Sequence, residues 1–274
     1  MKKIVAVLWH NSANRLNMLQ SQTDEFVCLK VYSAAALSDG RQDLDKLYRD
    51  MDDADAFLFQ VTSSDSAWIE IEEYAEKFET PMIYVGGESA GKIKTKDQMK
   101  HSAICNQFYV YSGAENMVNM MKYICSQVLH EEMDYQEPIF IPWEGIFHPD
   151  SKEIFQSTKD YFAWKEPSGK GTIALLVSRT AWLSGDIEVE RALIKHIEKN
   201  GYTALPIFSY AMADIDLGAK GTAYAIETFC FDGYGQPIVD GVIRMTGFFL
   251  QDTDEYANTS ESSVMSRLNC PIVK

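Results

Sequence analysis

Gly171-Thr172-Ile173-Ala174-Leu175-Leu176-Val177-Ser178, followed by Arg179-Thr180-Ala181-Trp182-Leu183-Ser184-Gly185-Asp186, decides the fold. An unbroken apolar run of strand length has no solvent face, so it reads as a parallel strand covered on both sides. An amphipathic helix is expected from about Asp186 to Lys199, and the Asn200-Gly201 pair suits a left-handed helix end. Downstream the alternation continues: a strand Thr203–Ser209, a helix near Thr222–Phe231, a strand Gly241–Thr246, a helix near Ser262–Asn269, and a final strand formed from Leu268–Lys274.

The first half has the same texture. Strands are expected at Lys3–Trp9, Glu25–Tyr32, Ala56–Val61, Met82–Val85 and Gln107–Tyr111, with helices at Asp43–Asp53, Ser66–Phe78 and Ala114–Leu129. In the last of these, Met117, Met121, Ile124 and Val128 recur at three and four residues and form one apolar stripe, read as core packing. Between the halves the composition shifts: Pro138, Pro142, Pro149 and Pro167 occur among aromatics, with one expected helix at Ser151–Trp164. The expected architecture is α/β: two flavodoxin-like, Rossmann-type parallel-sheet domains, 1–132 and 171–274, joined by a Pro- and aromatic-rich connector, 133–170, that packs on both. The second domain is expected to be cut short at its C-terminus.

Length and charge bound the function. With 274 residues and 46% hydrophobic content the chain can bury a sizeable core. A formal charge of −15 argues against nucleic acid and anionic membranes as partners, since phosphates would be repelled. The five cysteines, Cys28, Cys105, Cys125, Cys230 and Cys270, form no Cys-x-x-Cys pair and read as free thiols of a cytoplasmic protein. The Met1–Trp9 start is too short for a signal peptide, and no stretch is long and apolar enough for a membrane helix.

Motifs with an ordinary explanation are common. Gly86-Gly87-Glu88-Ser89-Ala90-Gly91-Lys92-Ile93 has the glycine and lysine spacing of a phosphate loop, but Ile93 stands where Ser or Thr must bind Mg²⁺, so a strand-to-helix turn is the better reading. Carboxyl ends of parallel strands mark where a ligand would lie, which singles out Trp9, His10, Asn11, Ser12, Asn14 and Thr62–Asp65. His148 either hydrogen-bonds a carboxylate or approaches a metal, or locks the connector by bonding a backbone carbonyl, and the locking role is favoured because no second His, Cys or carboxylate lies at metal-ligand spacing. Ser184 or Asp186 is expected to cap the following helix.

Several segments resemble one family. These are Pro142-Trp143-Glu144-Gly145-Ile146-Phe147-His148-Pro149-Asp150, the strand Gly171–Ser178 with Arg179–Asp186, the Gly113-x-x-Asn116-x-x-Asn119 stretch, Asn200–Phe208 and Val239–Ile243. Together they resemble the large, tetrapyrrole-binding subunit of ATP-dependent metal chelatases, the cobaltochelatase (CobN) and magnesium chelatase H-subunit family. The resemblance implies an N-terminal portion of a longer subunit, inactive alone. Its parent would insert cobalt or magnesium into a corrinoid or porphyrin, with ATP and Mg on partner subunits, an AAA+ ATPase and an adaptor. No catalytic or metal-ligating residue is assigned here. His10, Trp143, His148, Arg179, Trp182 and Asp186 are the candidate tetrapyrrole-binding residues, Arg179 to pair with an anionic side chain and Trp182 to offer a flat face. A stand-alone tetrapyrrole or corrinoid carrier, or a docking scaffold for an AAA+ ATPase, remains the alternative.

Overall fold

The computed structural model describes residues 1–9, 12–13, 16–17, 19–60, 66–86, 91–185, 187–246 and 261–274. The chain divides into two compact units, Met1–Ile141 and Pro142–Lys274. Each is a mixed α/β layer structure built around a parallel sheet.

In the first unit the strands β1 (Lys2–Leu8), β2 (Val27–Ser33), β3 (Ala56–Gln60) and β4 (Met82–Val85) lie in the order β2-β1-β3-β4, all parallel. Because successive side chains alternate between faces, the apolar runs feed two separate cores. Ile4, Ala6, Leu8, Leu58, Ile83 and Val85 pack with Phe108, Met117 and Met121, while Val5, Val7, Phe57, Phe59 and Tyr84 pack with Leu47, Met51, Trp68 and Ile71. Burying each of these large side chains contributes about 2 kcal/mol. The methionine stripe is core, as its period implied.

The expected fifth strand is a correction. Gln107–Tyr111 is the last turn of a helix, Lys96–Tyr111, begun by Thr95, whose hydroxyl accepts the Gln98 N–H. The aromatic and β-branched composition of Gln107–Tyr111 suits a strand, but Ser102, Cys105 and Phe108 are buried at helical spacing, and packing of that stripe overrides local preference.

The Gly113-x-x-Asn116-x-x-Asn119 stretch explains itself in the helix Ala114–Tyr123. Asn116 takes the Ile139 N–H and returns a hydrogen bond to the Ile139 carbonyl, both at 2.8 Å, and Asn119 accepts the Gln136 N–H at 2.9 Å. One helix face thus supplies backbone-like partners to a segment with no strand neighbour of its own. After Tyr123 the helix widens into a π-helical turn, Ile124–Val128, where a regular helix through Leu129 was expected.

In the second unit β5 (Gly145–Ile146), β6 (Thr172–Ser178), β7 (Thr203–Ser209), β8 (Gly241–Arg244) and β9 (Ile272–Val273) are ordered β5-β7-β6-β8-β9; β5 is antiparallel and the rest parallel. Here too one face, with Ala174, Leu176, Leu205 and Ile207, packs against Ala225, Ile226, Phe229 and Leu268, and the other, with Leu175, Val177, Ala204 and Phe208, packs against Ile187, Ile194 and Ile197. Pro206 is tolerated inside β7 because its carbonyl faces β5, where it accepts the Phe147 N–H; its missing N–H would have pointed the same way, so the β6 ladder loses nothing. Asn200-Gly201 ends the helix Glu188–Lys199 as expected: Gly201 has φ +82°, its N–H bonds the Glu198 carbonyl, and the Tyr202 N–H reaches back to Ile197. The helix expected at Ser151–Trp164 is shorter, Thr158–Trp164, because Phe155 is extended and bridges Ile146, and Ser157 supplies the N-cap two residues later.

Asn116→Ala is expected to leave two backbone groups of Ile139 unpaired and to cost about 2 kcal/mol in urea unfolding of the first unit, with faster amide exchange at Ile139. Burial pushes the thiols of Cys105, Cys125 and Cys230 up, Cys125 to about 11 and Cys230 to about 12. Alkylation of the native chain should therefore mark Cys28 and Cys270, with the three buried thiols reacting only after denaturation.

Candidate functional site

The carboxyl edge of the second sheet collects most of the chemistry. β6 ends at Ser178, and Arg179 opens the short helix Arg179–Ser184; β7 ends at Ser209; β5, running the other way, brings Trp143 and Glu144 to the same end. Arg179 is 4% exposed, donates from Nε to the Pro142 carbonyl at 2.8 Å, and holds its guanidinium 4.3 Å from the centre of the Trp143 ring. Tyr210 closes on the same indole edge-on at 5.4 Å, and its N–H bonds the Trp143 carbonyl. A planar cation is thus stacked on an indole in a region nearly closed to water, where such contacts are strongest.

Glu144 joins this cluster to the next helix. Its Oε1 accepts the N–H groups of Lys220 and Gly221, at 2.9 and 2.7 Å, at the start of the helix Gly221–Phe229. Burial raises its pKa above the ordinary carboxylate value, opposed by the two backbone donors and by the charges of Lys220 and Arg179. Gly221 is required where it stands: its φ is +81°, and a Cβ there would lie 2.8 Å from the Met212 carbonyl carbon and 2.7 Å from the Ala213 nitrogen. The loop from Tyr210 to Lys220 is thereby pressed against the helix start, and beyond that contact it exposes Met212 (74%) and Ile215 (95%). Lys220 Nζ lies over the Tyr224 ring at 4.3 Å and lowers that phenol's pKa. At the end of β8, Arg244 donates to the Thr246 hydroxyl, and Ser209 and Thr222 share a hydroxyl contact of 2.9 Å.

The expected residues fall into three groups. Trp143 and Arg179 are in direct contact. Trp182 sits on the helix just after β6, but one face of its ring is taken by Phe208, stacked at 4.0 Å and 11°. His148 is elsewhere, toward the amino end of the strands: its Nδ1 accepts the Asp150 N–H at 3.2 Å and its Nε2, carrying the proton, donates to Glu198 at 3.0 Å, with Lys165 on the same carboxylate. The ring is held by a carboxylate of the chain itself and a backbone N–H, not by the backbone carbonyl that a lock of its segment was expected to use. His10 and Asp186 lie outside the described residues, as do Asn11, Asn14, Thr62–Asp65 and Gly87–Ala90 of the first-unit turns.

Two further expectations are met only in part by the described residues. Lys92 of the phosphate-loop lookalike spends its ammonium on Glu72, at 2.6 Å. The Ser184 hydroxyl donates to the Ala181 carbonyl at 2.7 Å, and the following helix has Ile187 at its N-cap without a side-chain bond; the other expected cap, Asp186, lies outside the described residues. Among the described residues no group of three or more His, Cys, Asp or Glu side chains is placed to hold a metal ion, and no helix is long and apolar enough to cross a membrane.

Sequence reasoning missed Glu144, Met212, Ile215, Lys220 and Arg244. The only signal available was Glu144 within an aromatic loop; its partners lie 76 and 77 residues away.

Comparison with known proteins gives a consistent result. The family model described as CobN/Magnesium Chelatase matches residues 106–274. An uncharacterized protein of Methanocaldococcus jannaschii is 25% identical across 98% of this chain and 21% of its own length. The ChlH polypeptide of magnesium chelatase from rice chloroplasts is 24% identical over 53% of this chain and 11% of its own, and the corresponding H polypeptide of Chlorobaculum parvum magnesium chelatase is 27% identical over 57% and 12%. The catalytic subunit of cobaltochelatase from Mycobacterium tuberculosis shares the fold, with a TM-score of 0.62 at 14% identity over 99% of this chain and 21% of that one. The chain spans about a fifth or less of the length of these relatives.

Because the folded pKa of Glu144 is raised, its favourable contribution is present below its unfolded value and is lost as pH rises through the folded one. Glu144→Gln keeps the acceptor oxygen and removes the titration. The melting temperature of the variant should therefore gain on wild type as pH rises from about 4 to about 7.

Proposed function

The chain belongs to the CobN/magnesium chelatase family, and from that premise we propose that it is a portion of the tetrapyrrole-binding large subunit of an ATP-dependent metal chelatase. We read its two sheets as flavodoxin-like layers and residues 133–170 as the connector. In this reading the carboxyl edge of the second sheet meets a corrinoid or porphyrin. Lys220, on the exposed rim, faces a carboxylate of the macrocycle, the buried Arg179 stacked on Trp143 lends its charge from beneath, and Met212 and Ile215 cover part of the flat apolar ring. The single observation that supports it is the guanidinium held against an indole beside an exposed apolar loop, in a chain whose net charge of −15 would otherwise repel such a ligand.

Metal insertion needs a base to remove pyrrole protons and ligands that deliver a divalent ion, cobalt or magnesium being the substrate. We assign those steps to the rest of the longer subunit and ATP hydrolysis to partner subunits, an AAA+ ATPase and an adaptor, in the cytoplasm.

Titration with protoporphyrin and with a cobalt-free corrinoid should quench tryptophan fluorescence saturably, and Arg179→Ala should weaken binding about tenfold, roughly 1.4 kcal/mol. Quenching that rises linearly without saturation for both macrocycles would remove this reading in favour of a docking scaffold. The chain incubated with macrocycle, metal and ATP but no other subunit should form no metallated product; turnover would place the chemistry here after all.

A further inference from the structure

Among the described residues, no strand pairs with the outer edge of β4. β4 pairs with β3 on one side only, through the register Phe57↔Met82 to Gln60↔Val85, with the Phe57 N–H reaching the Pro81 carbonyl. Residues alternate in the direction of their backbone groups, so Met82, Tyr84 and Gly86 face away from β3. On each of the three, one backbone group is taken by a side chain of the helix Lys96–Tyr111. Gln98 Nε2 donates to the Met82 carbonyl at 3.1 Å, the Tyr84 N–H donates to Ser102 Oγ at 3.0 Å, and the Gly86 N–H donates to Asn106 Oδ1 at 2.9 Å.

The spacing is a physical match. Four helical residues rise about 6 Å, and two strand residues span about 6.6 Å, so side chains at i, i+4 and i+8 keep step with every second strand residue. Gln98 is itself held in place, its Oε1 taking the Lys94 N–H at 2.7 Å. The strand so covered, Met82-Ile83-Tyr84-Val85, is uncharged, and an open edge of that composition is a template for another chain.

We propose that this helix is an edge guard: the Gln98-Ser102-Asn106 ladder takes one outward backbone group on every second residue of β4 and so prevents a second copy of this chain from adding its own β4 there. The device works through geometry alone and is independent of any ligand.

Hydrogen exchange followed residue by residue tests it in two steps. In the unaltered chain the Tyr84 and Gly86 amides should exchange as slowly as those of β3; fast exchange at either would overturn the proposal outright. In Ser102→Ala the Tyr84 amide should exchange at least tenfold faster, and in Asn106→Ala the Gly86 amide likewise, while Ser102→Thr, which keeps the hydroxyl, should match wild type. The double variant Ser102→Ala/Asn106→Ala should also gain mass with concentration in light scattering. Unchanged exchange in the single variants, or faster exchange in a double variant that stays monomeric at every concentration, would refute the guard.

Discussion

Two-sided burial is the constraint on which everything else in this protein depends. A central strand such as Ala174–Val177 has no residue to spare for solvent, so each sheet must be covered on both faces, and the odd and even positions of one strand build different cores. Hence the helices lie on either side of each sheet, and the loops that turn from strand to helix gather at one end. The candidate site inherits its position from this rule. Arg179 and Tyr210 are the first residues beyond β6 and β7, and Trp143 is two residues before β5.

The same constraint explains what could be read from the residues. Strands β1, β3, β4, β6 and β7 were legible because their apolar content is continuous, and Asn200-Gly201 because a left-handed turn has few chemical solutions. Gln107–Tyr111 differs for a physical reason: five residues with the composition of a strand do not reveal that Phe108 continues a buried helical stripe begun by Ser102 and Cys105. Ser151–Trp164 failed at the other scale, where a bridge between Phe155 and Ile146 decides the backbone and neither residue announces it.

The candidate site was half legible. Trp143 and Arg179 were found on separate grounds and do touch, whereas His148, only five residues from Trp143, belongs to a different end of the sheet, because an extended segment carries successive residues about 3.3 Å apart. Glu144 and Lys220 are joined across 76 residues, a distance at which local pattern is silent. Chemistry built on side chains that converge from several loops is recoverable only once the sheet has fixed where those loops begin.

The crowding at Gly221 carries a consequence for how this protein can vary. With the backbone of Met212 and Ala213 lying against that glycine, the root of the loop and the first helical turn form one rigid block. The tip, closed by paired backbone bonds between Asp214 and Ala219, is free of that block. Insertions or swaps of Ile215–Gly218 would therefore alter the exposed surface of this hairpin while leaving the block at its root unmoved, so sequence change is cheap at the tip and costly two residues further in.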